Sequence, residues 1–144
     1  MTLSKVVVDS SVVIKWFAPE ANSAKARAIL TEYQAGRLTL LAPDLLYAEI
    51  GNVVWKKVRF HGLDIDDGQE IIENLYRLDI TVTRSVDLLR DAYRLATCYQ
   101  RTVYDMTYVA LSVREQCRLI TADEKLACVL GDSFENVVQL SDWV

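Results

Sequence analysis

Apolar and polar positions fall into two alternating textures along the chain. Short β-branched or aliphatic runs at residues 5–8, 38–41, 80–83, 118–121 and 137–140 predict strands. Most of these runs are separated by one or two stretches whose apolar residues recur every three or four positions, the period of a helix buried on one face. Val6, Val7 and Val8 are consecutive and apolar, the pattern of a strand covered on both sides. A helix is predicted to begin near Val12, and Pro43 and Asp44 open another that runs to about Lys57. His61 and Gly62 mark a turn, residues 64–77 form a further helix despite Gly68, and Ser85 begins one that reaches about Tyr99. The run MTYVALSV, residues 106–113, is apolar nearly all round and therefore central. Both prolines, Pro19 and Pro43, fall at element junctions.

Strands alternating with helices predict an α/β fold, three layers α/β/α around a central parallel sheet of four to five strands. Residues 1–144 contain no flexible linker, internal repeat or low-complexity tract, so a single domain is expected. At 51% apolar and 25% charged residues the composition is that of a globular protein with a sizeable core. No run approaches the roughly 18 apolar residues of a membrane span, and the amino terminus lacks a secretory pattern; a cytoplasmic protein is expected, with no membrane partner. Cys98, Cys117 and Cys128 are odd in number, lack a CxxC spacing and lie in apolar surroundings, which predicts buried thiols.

The net charge of −4 argues against a broad basic surface for nucleic acid, but leaves room for acids gathered in one pocket around a metal. In parallel sheets ligands bind beyond the carboxyl ends of the strands, which directs attention to the acids there. Asp9 follows the first strand directly, and Asp123 follows Thr121 after one alanine. Each has an ordinary use. Asp9 can cap the helix near Val12, Thr121 to Glu124 reads as a capping box with Asp123 in its first turn, and Thr102 to Asp105 is a looser version of the same pattern. Glu49 is harder to explain that way, because Leu45, Leu46 and Val53 at i−4, i−3 and i+4 place it on the apolar flank of its helix. If Asp9, Glu49, Asp105 and Asp123 converge, they form an all-oxygen pocket suited to Mg²⁺ or Mn²⁺ and not to zinc. Setting these four aside from 20 acidic residues leaves 16 against 16 basic ones, so the formal excess would reside in the pocket.

The segments VVVDSSVVIKW, DLLYAEIGNVVW, TVYDMTYVALSVREQCRLITADEKLA and VVQL, in this order, resemble the PIN-domain family, most closely its small VapC-type toxin ribonucleases. The resemblance spans essentially the whole chain. It implies that Asp9, Glu49, Asp105 and Asp123 line one metal site, with Asp9 and Asp105 foremost as ligands and Ser11 and Thr121 as supporting hydroxyls. It further implies a metal-dependent endoribonuclease, homodimers and a cognate antitoxin that blocks the pocket. Carboxylate-held Mg²⁺ favours water as nucleophile, which gives 5′-phosphate and 3′-hydroxyl ends. Glu49 or Asp123 could accept the water's proton.

Lys15, Lys125 and Glu124 have surface or capping uses and stay outside this set, and the cluster of Lys56, Lys57 and Arg59 suits a solvated helix terminus. Two rival classes fail on particular residues. A receiver domain needs an adjacent acidic pair where Asp9 is followed by Ser10, and a haloacid-dehalogenase-like phosphatase needs D-x-D where Ser11 stands third. No glycine-rich phosphate loop is present. The non-enzyme alternative is a catalytically weak PIN fold that binds RNA or serves in assembly.

Overall fold

The computed structural model describes residues 4–18, 20 and 22–143. Pro19 lies outside these residues. The chain runs β1 (Ser4–Val8), α1 (Ser10–Val13), a 3₁₀ turn (Ile14–Trp16), α2 (Ser23–Gln34), β2 (Leu38–Pro43), α3 (Leu45–Phe60) and α4 (Ile65–Tyr76). It continues through β3 (Thr81–Thr83), α5 (Ser85–Tyr99), α6 (Val103–Arg114), β4 (Arg118–Thr121), α7 (Glu124–Leu130), β5 (Val137–Gln139) and a closing 3₁₀ turn (Leu140–Asp142).

The strands form one sheet in the order β3-β2-β1-β4-β5, every pairing parallel. Consecutive side chains of a strand point to opposite faces, and Val6, Val7 and Val8 are all fully buried, so helices cover both faces of β1. Each such valine contributes roughly 1.5–3 kcal/mol by leaving water. On one face α6 lies across β1, β2 and β4. Its residues from Met106 to Ser112 are all buried, as the all-round apolar pattern predicted.

Register sets the site. Val8 pairs with Ile120, so Asp9 and Thr121 leave the sheet side by side, and the order of strands reverses between β1, which leads to β2, and β4 on its other side. In open parallel sheets ligands bind beyond the carboxyl edge at such a reversal.

Several boundaries differ from expectation. β2 runs on through Pro43, which pairs with Thr83, and α3 extends to Phe60. β3 begins at Thr81 rather than residue 80, and Leu140 leaves β5 for the closing turn. The periodicity did not delimit α2, whose sequence SAKARAILTEYQ buries only Ala26 and Ile29. Gly68 in α4 has a packing reason: a Cβ there would approach Val58 at 3.1 Å and Val54 at 3.2 Å, so α3 and α4 meet where it stands.

The cysteine expectation is corrected. Cys98 and Cys128 are exposed and Cys117 is half-buried. Cys98 follows Ala96 by two residues on α5, and Cys128 lies midway between Leu126 and Leu130 on α7, offsets that turn both thiols away from the buried face. Lys15 corrects the opposite way: it is buried, with its ammonium 3.3 Å from Glu20. Lys57 meets the same glutamate at 3.1 Å, so one member of the α3 cluster is paired. Among the described residues no helix is long and apolar enough to cross a membrane.

Candidate active site

Asp9 turns the chain from β1 into α1. Its extended backbone makes it the helix N-cap, and its Oδ1 accepts from Val12 N at 3.3 Å and from Ser11 Oγ at 2.5 Å. Ser11 Oγ in turn accepts from Ala122 N at 2.9 Å and lies 3.5 Å from Thr121 Oγ1. Thr121 Oγ1 accepts from Asp123 N at 3.1 Å. The two supporting hydroxyls therefore join the end of β1 to the end of β4. Asp9 is only 7% exposed, and burial pushes its carboxyl from 3.8 up to about 6. The hydrogen bonds from Ser11 and Thr121 pull against that rise, and the Glu49 carboxylate adds to it.

Asp123 is itself the N-cap of α7 and accepts from Leu126 N at 3.1 Å, while Thr121 ends β4. This corrects the expected capping box, in which Thr121 capped the helix. Thr102 caps α6 as expected, accepting from Asp105 N at 3.1 Å and fixing Asp105 in the first turn. Glu49 lies early in α3, near the carboxyl edge, and its Oε1 accepts from the Tyr108 hydroxyl at 2.5 Å. Burial raises the Glu49 carboxyl above its ordinary range; Tyr108 opposes this and Asp105 adds to it. The buried Tyr108 phenol is pushed well above its usual value by burial and by Glu49, with Asp9 and Asp105 contributing.

Asp9, Glu49, Asp105 and Asp123 thus share one edge and feel one another's charge or bind common partners. The partner absent from the sequence reading is Arg101. Its Nη2 lies 3.1 Å from Asp105 Oδ2 and 3.9 Å from Asp123 Oδ2, so a guanidinium bridges the outer two acids. Tyr108 was missed as well, read only as core, although its spacing of three from Asp105 puts both on one helix face. Arg101 had a weaker signal, four residues before Asp105 in the turn that enters α6.

The donor set is all oxygen, and Asp9 and Glu49, raised by burial and each by one neighbouring carboxylate, are groups that a hard cation would relieve. His61 follows the far end of α3, about 18 Å along the helix from Glu49 at 1.5 Å per residue. Among the described residues no three His, Cys, Asp or Glu side chains stand in a metal-holding group, and each of the four acids accepts from a protein donor. The residue chemistry fits Mg²⁺ or Mn²⁺; the carboxylates would have to draw closer together to hold it, which the oxygens opposite their present donors leave room for.

A family model for the PIN domain matches residues 6–129. The chain belongs to the PIN domain family. Among relatives of this PIN-domain chain, Ribonuclease VapC3 of Pyrobaculum aerophilum is 33% identical over 125 residues, covering 85% of this chain and 92% of that protein. The crystal structure of PAE2754 from the same organism superposes with a TM-score of 0.68 at 20% identity, covering 96% of this chain and 85% of the other. A toxin-antitoxin complex from Klebsiella pneumoniae superposes at 0.64 and 15% identity, covering 94% and 97%. At these identities the structural likeness speaks to the fold.

Proposed function

We propose that this PIN-domain protein is an endoribonuclease of the VapC type that hydrolyses RNA phosphodiester bonds with Mg²⁺ or Mn²⁺, and that it is the toxin of a toxin-antitoxin pair. What supports this reading is that Asp9, Glu49, Asp105 and Asp123 lie along the edge where β1 and β4 end, linked through shared partners and each other's charge, in a chain 33% identical to a VapC ribonuclease. In this reading those acids hold the cation, and Ser11 and Thr121 orient Asp9. Bound there, the cation supplies Lewis-acid activation of water and charge neutralisation at the phosphate. Glu49 accepts the proton of the attacking water. Its burial gives it a basicity above an ordinary glutamate, and Tyr108 holds one oxygen so that the other stays free.

An antitoxin partner is supported by an apolar groove of about 700 Å³ between α3 and α4, lined by Val54, Trp55, Val58, Ile65, Ile72 and Tyr76. Trp55 and Tyr76 are more than half exposed there, a large apolar surface for a lone chain to show to water. A homodimer is supported by a second apolar strip, Val86, Leu89 and Tyr93 on the outer face of α5.

The decisive experiment incubates RNA with purified protein and Mn²⁺, beside the Asp9→Asn variant. Cleavage to 5′-phosphate and 3′-hydroxyl ends, lost in the variant, is expected. Products with 2′,3′-cyclic phosphate would refute water as nucleophile, and RNA binding without cleavage would favour the weak-enzyme alternative.

A further inference from the structure

Arg101 sits in the short link between α5 and α6, where Gln100 adopts the left-handed conformation at φ 55° and Thr102 caps the next helix. The backbone of the link is therefore fixed at both ends, and the side chain returns over the acidic edge. Its side chain is only 23% exposed, and its Nη2 faces both Asp105 Oδ2 and Asp123 Oδ2. One detail shows that this pose is not an idle surface pairing. Arg101 Nε is buried and finds no acceptor among the described residues. Leaving such a donor unmet costs about 1–3 kcal/mol, which an arginine free to extend into water would avoid. The compensating term is the field of the acids, since Asp105 also lies within the influence of Glu49.

We propose that Arg101 is a built-in counter-cation of the site, competing with the divalent ion for the carboxylate oxygens of Asp105 and Asp123. The competition is relieved when the guanidinium swings away from the two carboxylates. Two cations cannot share the same two oxygens without mutual repulsion, and binding of the metal must displace the Nη2 contacts. Arg101 thereby sets the metal affinity of the site, as a positioning residue acting through Asp105 and Asp123. The inference rests on the metal site proposed above.

The test is calorimetric titration of Mn²⁺ into EDTA-treated, dialysed protein, with no RNA present. Removing one part-exposed ion-pair partner is worth up to about 1 kcal/mol, or roughly fivefold in Kd at 1.4 kcal/mol per tenfold. Arg101→Gln is expected to bind Mn²⁺ about fivefold more tightly than the natural protein and to show a larger Mn²⁺-induced rise in melting temperature. Arg101→Lys keeps the charge but loses the planar fork, so its affinity should fall between the two; it also decides the matter if Arg101→Gln does not fold. Equal or weaker Mn²⁺ binding in both variants would overturn this role while leaving the metal site intact. If neither variant nor the natural protein binds Mn²⁺, the metal site itself falls, and this inference with it.

Discussion

Asp9 leaves β1 and Asp123 follows β4, neighbouring strands of one sheet, yet the carboxylates of this edge are held by different means on its inner and outer flanks. On the inner flank Asp9 is buried, and its donors among the described residues are neutral: the Ser11 and Thr121 hydroxyls and Val12 N–H. On the outer flank Asp105 and Asp123 are 31% and 42% exposed in their side chains and face a guanidinium. Neutral hydrogen bonds fix where a carboxylate points and leave most of its charge uncompensated; a guanidinium cancels charge and can be withdrawn. The inner flank is the rigid half of the site with the stronger demand for a cation.

The largest effect should come from Asp9→Asn. Asparagine keeps a carbonyl oxygen for Ser11 Oγ and Val12 N and removes the charge. RNA cleavage with Mn²⁺ should fall about 100-fold or more, with an unchanged circular dichroism spectrum. Asp123→Asn should cost less metal affinity, because Arg101 already offsets part of that charge. Equal losses of Mn²⁺ affinity from the two substitutions would break the contrast between the flanks.

The inner flank also carries a pH signature. Burial raises Asp9 from 3.8 to about 6, so between those values the folded chain holds a proton that the unfolded chain has released. Stability then decreases as pH rises through this window, by an amount on the order of 2–3 kcal/mol at 1.36 kcal/mol per unit, and the loss is complete above pH 6. Urea denaturation at pH 4.5 and pH 7 measures it against Asp9→Asn, in which the dependence should flatten. Saturating Mn²⁺ should restore much of the stability at pH 7 through preferential binding to the folded state. A natural protein whose profile matches that of Asp9→Asn would mean that Asp9 is already compensated.

Much of the inner flank could be read in the chain because it is written locally. The valine run ends on Asp9, Ser11 follows two residues later, and Glu49 stands out among Leu45, Leu46 and Val53. The outer flank depends on a contact that periodicity does not carry. Arg101 and Asp123 are separated by the whole of α6 and β4, and only the packing of α6 across the sheet brings the turn before it to the end of β4. Tyr108 was hidden for a different reason: a polar group at the tip of an aromatic ring counts as apolar in a run such as MTYVALSV. The cysteines were misplaced by averaging over neighbours where the helical offset from Ala96 and Leu126 was the informative quantity.

Ser11→Ala sharpens the inner flank further. It removes the hydroxyl donor to Asp9 Oδ1, which keeps Val12 N–H, and takes from Ala122 N–H the acceptor it has at the end of β4. A loss of about 1–3 kcal/mol is expected from the urea midpoint at constant m, with weaker Mn²⁺ binding because Asp9 is no longer oriented. Ser85→Ala is the control away from this edge, since it removes the Ser85 hydroxyl that donates to the exposed Asp44 carboxylate at the start of α5. A Ser11→Ala effect no larger than that of the control would mean that the hydroxyl does not organise the edge.

The smallest effect belongs to Tyr108→Phe, at the seam where Glu49 feels both flanks. Phenylalanine keeps the ring that packs at 3% exposure and deletes only the hydroxyl that donates to Glu49 Oε1. Stability should fall by about 0.5–1.5 kcal/mol, the net worth of one hydrogen bond. The informative readout is the acid limb of the cleavage rate against pH. Burial and Asp105 raise Glu49 while Tyr108 holds it down, so deleting the hydroxyl raises it further and makes the carboxylate, the form able to accept a proton, available only at higher pH. The limb should therefore shift upward with its plateau largely kept. A limb that stays in place while the stability falls would mean that Tyr108 only packs and that the proton goes elsewhere, with Asp123 next in line to receive it.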